Sequence, residues 1–313
     1  MTLSTEQLAA IVARALPGER LAEWQPLAGA RYALALAGGE RLQLHLFDSP
    51  DSAAAAVAAL RLLRGEVDLP VPQLRAADAA GETTGRPYAL TAPLAGEPLA
   101  ALLDRLPEQA LYDLGRRLGE VAARIHRLAA GTFGALVPEA GPRASDEHAF
   151  VLARLEQDLA RCEGLGLLNR QSAEALRGWF ANSFQPVERP AALLHGAISP
   201  DTVLVRQAEG GWRLGGLVGW EQALGWCPAW EHTAFLEHAA APRLFGLRVG
   251  YGNGYDEQTQ RAYEQLREPM MAPYRLLLAL RRAAQAHERG DFAASERARN
   301  GALGLLRMLA GEP

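Results

Sequence analysis

Four polar side chains gathered in one short stretch could do chemistry together: His195, Asp201, Thr202 and Glu221. Asp201 and Glu221, turned to the same side, would present two carboxylates to a divalent cation, which prefers hard oxygen ligands. A Thr202 hydroxyl could add a weak ligand. His195 has the ring of a general base, but a base needs a positioned acceptor as well. Each residue also has a plainer reading. Asp201 follows Pro200 in a turn, where Asp serves the backbone, and His195 next to Gly196 suits a structural hydrogen bond. His45, in the alternating run Leu42-Gln43-Leu44-His45-Leu46-Phe47, offers a mostly neutral imidazole at pH 7.

The segment around these residues, Leu194-His195-Gly196-Ala197-Ile198-Ser199-Pro200-Asp201-Thr202-Val203-Leu204-Val205, resembles the catalytic loop HGDxHxxNxLx of the aminoglycoside phosphotransferase and choline kinase superfamily. Further likenesses follow in the family's order: the Arg31–Phe47 hairpin, Leu69-Pro70-Val71-Pro72, Ile125-His126-Arg127-Leu128, Gly216-Leu217-Val218-Gly219-Trp220-Glu221 and Pro228-Ala229-Trp230-Glu231. The resemblance implies an α+β, bilobal, protein-kinase-like fold. A small antiparallel-sheet lobe is expected over residues 1–92, and a hinge with a helical lobe over 93–313. Fold alone does not transfer function.

The same resemblance marks what is missing. The family's phosphate-holding Lys falls on His45 and its Glu partner near Ala56. The catalytic Asp falls on Ala197, and the two metal-binding positions fall on Thr202 and Gly219. All 32 basic residues are Arg, although a GC-rich genome would also skew codons that way. Phosphoryl transfer depends on positioning and charge neutralisation, so losing these groups together implies a degenerate member, a pseudokinase binding an unknown small molecule or protein partner. An active phosphotransferase with a rearranged metal site at Asp201 and Glu221 is the alternative, and a scaffold with an occluded cleft is a second. His45, Ala92, His195, Asp201, Thr202 and Glu221 are the cleft candidates. No intact metal site and no cofactor are expected; ATP and Mg2+ belong only to the alternative.

Composition sets the frame for these elements. With 313 residues, 49% hydrophobic and 22% charged, the chain can bury a sizeable core. A net charge of -4 gives no reason to expect nucleic acid or an anionic membrane. Cys162 and Cys227 are far apart, which fits a reducing cytoplasm. No signal peptide or membrane span is expected.

Periodicity then places the elements. A first helix runs to about Leu16, capped by Ser4 or Thr5. Alternation predicts strands over Arg31–Leu36 and Arg41–Phe47 around Gly38-Gly39, then an Ala-rich helix from Pro50 to about Gly65, and strands at Gln73–Ala76 and Tyr88–Ala92. A period near 3.6 predicts a helix over Glu108–Ala129. Helices follow at Glu147–Glu163 and Gln171–Phe184, and short β segments at Ala191–Leu194, Val203–Arg206 and Trp212–Trp220. The rest is expected to be mostly helical, ending with Ala294–Leu309. The run Gly250-Tyr251-Gly252-Asn253-Gly254 lacks the Lys-Ser/Thr ending of a phosphate loop and is expected to be a flexible loop.

Overall fold

The computed structural model describes residues 3–310 except 28, 67, 83, 84, 187, 188 and 260–263, and gives the backbone alone over 264–270. Ser4 accepts from the Gln7 amide while the Gln7 side chain accepts from the Ser4 amide, a capping box that starts α1 (Thr5–Ala15). Behind it lie β1 (Leu21–Pro26), β2 (Arg31–Leu36) and β3 (Arg41–Leu46). The period of two sorts the side chains: Tyr32, Leu34, Leu36, Leu42, Leu44 and Leu46 are buried toward Leu8, Ile11 and Val12 of α1. Arg31, Gln43 and His45 therefore emerge on the other face. Ser49 caps α2 (Pro50–Leu62), and β4 (Leu74–Asp78) and β5 (Tyr88–Thr91) complete an antiparallel sheet of order β1-β2-β3-β5-β4. The strand β1 was not expected from sequence: it is a half-exposed edge ending in Pro26, with no apolar alternation to reveal it.

The α2 helix is buried on every side from Ala53 to Leu60. Its methyl groups let it lie against the turn Trp220–Gln222 of the second lobe, and its core is continuous with that lobe's rather than with α1. After β5 the chain crosses to the second lobe. Gly96, at a φ of 129°, lets β6 (Glu97–Pro98) lie against Val205, whose carbonyl oxygen would stand 2.7 Å from any Cβ there.

The second lobe is mainly helical. Its helices are α3 (Glu108–Ile125), α4 (Glu147–Gly164), α5 (Arg170–Ser183), α6 (Pro228–His238), α7 (Phe245–Thr259), α8 (Glu264–Glu288) and α9 (Phe292–Ala310). Short strands, β7 (Phe133–Ala135), β8 (Arg143–Ala144), β9 (Ala192–Leu194) and β12 (Leu224–Trp226), form one small sheet, and β10 (Val203–Ala208) and β11 (Gly211–Leu217) pair as a hairpin beside β6. The chain thus has the bilobal α+β architecture expected. The helix α3 ends at Ile125, four residues before the expected boundary, and β11 stops at Leu217, with Trp220 opening a short turn.

One expectation is overturned. Residues 250–254 form helix, not loop, inside α7. Their glycines let α7 cross α3 at close range: a Cβ at Gly250 or Gly254 would meet the Tyr112 or Arg116 carbonyl oxygen at 2.1 and 1.9 Å, and Gly115 and Gly119 of α3 face Leu247 and Tyr251 in the same way. Substituting Gly254→Ala should force the helices apart and cost about 1–3 kcal/mol. In contrast, Gly301→Ala on the open side of α9, with nothing within 4 Å, should gain about 1 kcal/mol from helix propensity. Chemical denaturation of both variants checks the contrast.

Candidate functional site

The outer face of the small sheet, α2 and the segment 201–221 enclose a cavity of about 330 Å³. Arg31 and His45 are register neighbours on β2 and β3 and both line it. The His45 Nδ1 atom lies 3.3 Å from Glu221 Oε1, a contact that ties one lobe to the other. Burial lowers the His45 pKa; Glu221 opposes this without reversing it, so the ring leans to its neutral form. Ala56 lines the same cavity from α2 and brings no carboxylate.

The loop that follows β9 is fixed by its backbone. Gly196 has a φ of 82°, and a Cβ there would overlap the Gln222 carbonyl oxygen at 2.0 Å, so no other residue fits. His195 is fully buried: its Nε2–H donates to the Val218 carbonyl (2.9 Å), and Nδ1 accepts from the Ala197 amide (3.3 Å). Burial holds its pKa below the ordinary value, with Glu231 opposing. Both nitrogens are used, so this ring positions the loop and has no atom left for a substrate.

Thr202 is engaged as well. Its hydroxyl accepts from the Ser199 amide (3.0 Å) and donates to the Ala197 and Ser199 carbonyls (3.0 and 3.1 Å). Gly219 is left-handed at a φ of 85°, beside the Thr202 methyl, and offers only backbone. Asp201, on the exposed rim, and Glu221 both line the cavity. Among the described residues, no three His, Cys, Asp or Glu side chains cluster as a metal site. This donor set does not fit a divalent cation carrying nucleotide phosphates: Gly219 offers no side-chain oxygen, the Thr202 hydroxyl is committed, and of the two carboxylates that line the cavity Glu221 faces His45 and Asp201 is exposed.

Of the expected cleft residues, His45, Asp201, Thr202 and Glu221 come together around the cavity, whereas Ala92 and His195 do not line it. Ala197 is half-buried and lines neither this space nor the larger cavity beyond Gly196. Sequence reading missed Arg31, although its place on β2, opposite His45, follows from the hairpin register.

Beneath the loop lies Glu231, on α6 and 2% exposed. Its carboxylate accepts from the His195 and Gly196 amides and from His126 Nε2, and the other His126 nitrogen meets the Tyr255 hydroxyl at 2.8 Å. Burial pushes the Glu231 pKa up, but its contacts with His126, His195 and the Gly196 amide outweigh it, and the net shift is downward. The His126 ring thus joins the end of α3 to α6 and α7.

The model of the phosphotransferase enzyme family matches residues 9–270. No curated protein matches the sequence. Among solved structures, a thermostable mutant of the aminoglycoside phosphotransferase APH(4)-Ia, in ternary complex with AMP-PNP and hygromycin B, is similar at 18% identity and a TM-score of 0.67, covering 98% of this chain and 100% of that one. A proposed fructosamine-3-kinase from Thermobifida fusca YX-ER1 is similar at 18% identity and a TM-score of 0.66, covering 97% and 100%. The GDP complex of a mutant aminoglycoside 2'-phosphotransferase-IIIa follows at 16% identity and 0.60, covering 98% and 97%. At these identities the likeness establishes the fold.

Proposed function

The chain belongs to the phosphotransferase enzyme family, and from that premise we propose that it is a member that binds a ligand or protein partner without transferring phosphoryl groups. The observation that carries this reading is the state of the loop: no carboxylate at Ala197, a Thr202 hydroxyl committed to Ala197 and Ser199, and only backbone at Gly219. Transfer needs a group to take or orient the acceptor's proton and charges to steady the phosphates. Two solved structures of similar fold are complexes with AMP-PNP and with GDP. Here Arg31 gives the cleft a permanent cation, so weak anion binding without metal belongs to the same reading.

A cytoplasmic place of action is part of the proposal, supported by Cys162 and Cys227, which are buried and unpaired. Among the described residues no helix is long and apolar enough to cross a membrane.

An ATP-dependent small-molecule phosphotransferase working through Asp201 and Glu221 is favoured by one observation, that both line the cleft. Glu221 already faces His45, however, and Asp201 is exposed. The open volume speaks against the third reading, a scaffold with an occluded cleft.

Thermal shift separates the first two. A ligand at 100 times its Kd stabilises the fold by about 2.7 kcal/mol. Millimolar ATP should give a small shift, equal with Mg2+ or with EDTA. A large shift abolished by EDTA would favour the Asp201–Glu221 metal site.

A further inference from the structure

On the other side of Gly196 and Glu221 lies a larger cavity, about 620 Å³, that the site above does not use. Its walls come from the start of α2, the β7–β8 turn, α4, the turn 221–224 and α8. Phe150, Trp226 and Trp230 give it an aromatic face: Trp226 stacks on Trp230 at 4.4 Å and meets the edge of Phe150 at 4.7 Å. Three cations border it, Arg143, Arg154 and Arg281.

The unmet hydrogen-bonding groups lining this cavity are donors. Trp226 is 1% exposed, yet its Nε1–H has no partner among the described residues. The Nε–H of Arg154 is also buried without a hydrogen bond; the nearest carboxylate oxygen, Asp158 Oδ2, lies at 3.5 Å. Arg281 stands beside Arg154 on the same wall. Burial and the neighbouring Arg154 and Arg161 lower its pKa to about 10, while Asp158 opposes. Arg161 is bound by Glu288, which leaves Arg154 and Arg281 sharing Asp158 behind the wall. Two acids, Asp51 and Glu221, also line the cavity. A buried donor left unpaired costs free energy, and like charges held together in low dielectric repel. An acceptor-rich anion would relieve both.

We infer that this cavity binds a small organic anion, a carboxylate or phosphate ester whose body lies on Phe150 and Trp226 and whose charge is taken by Arg154 and Arg281. Arg143 at the mouth is exposed and suits capture of the same charge. The assignment names the ligand class for the non-transferring reading and rests on it only in calling the molecule a ligand rather than a substrate.

Calorimetry on the full chain at matched ionic strength tests it, with benzoate and phenyl phosphate as probes and benzyl alcohol and spermine as neutral and cationic controls. At least one anion should bind, and the two titrations tell which anionic group is preferred. Arg281→Met should weaken that binding by about tenfold or more, with partial rescue by Arg281→Lys. Should Arg281→Met fold poorly, Arg143→Ala at the exposed mouth should still weaken binding and slow association. Binding of neither anion, binding equal to that of the controls, or binding unchanged in all three variants would overturn the site. Phosphorus NMR of the same mixture with ATP and Mg2+ separates the two claims. Transfer to a bound probe keeps the anion site and defeats the non-transferring reading; absence of both binding and transfer defeats the anion site alone.

Discussion

Substituting Glu231→Ala is expected to cost about 3–5 kcal/mol of folding stability, because breaking a buried charged hydrogen-bond set strands its partners. The partners here are His126 Nε2 and the amides of His195 and Gly196. Loss of the carboxylate would release both the loop and the end of α3 from α6. Glu231→Gln keeps the shape and part of the bonding, so it should cost less. The pH dependence has a definite sign. The native pKa of Glu231 lies below its ordinary 4.5, so between the two values the unfolded chain holds more protons and stability rises with pH. The contribution is complete above about 4.5 and is lost as pH falls through the lower native value. Denaturant midpoints measured down this acid limb should fall less steeply in Glu231→Gln than in the unmodified chain.

Trp230→Ala carries the second large effect. Trp230 is 3% exposed, lies flat on Trp226 and meets the edge of Tyr274 at 6.1 Å. Truncation there should cost about 3–5 kcal/mol. Ala197→Ser should cost less than about 1 kcal/mol, since Ala197 is half-buried and water can reach the hydroxyl. Chemical denaturation compares the two directly. Equal losses would mean that the loop at Ala197 is closed core.

The two lobes were legible because their elements announce themselves by period. The alternation of Tyr32, Leu34 and Leu36 fixes a strand with one buried face, and Leu111, Leu114, Leu118 and Val121 fix α3 as a helix with one buried stripe. What failed to show in sequence has no such period. The edge strand β1 is half-exposed on both faces. The glycines of α7 read as a loop because their role lies in another helix: Gly254 fits α7 against the backbone of Arg116 on α3, a tertiary fact that overrides helix propensity.

The site divides in the same way. The absence of chemical groups at Ala197 and Gly219 could be read one residue at a time. Contacts between distant segments could not: the meeting of His45 with Glu221 across the cleft, the pairing of Glu231 with His126, and the gathering of Arg143, Arg154 and Arg281 from three separate elements. His195 shows the limit from the other side. Its type suggests a base, but only the fold reveals that both ring nitrogens are spent on backbone.

The central claim is that the chain keeps the family's architecture without its reaction. Phosphorus NMR of the unmodified protein with ATP and Mg2+, alone and with a panel of hydroxyl acceptors, tests it most directly. The account predicts that the γ-phosphate signal persists at the rate of a protein-free control, and that Ala197→Asp alone leaves it there, because catalytic groups acting as a unit are strongly non-additive. Mg2+-dependent loss of that signal, faster than the control and abolished by Glu221→Gln or Asp201→Ala, would contradict it.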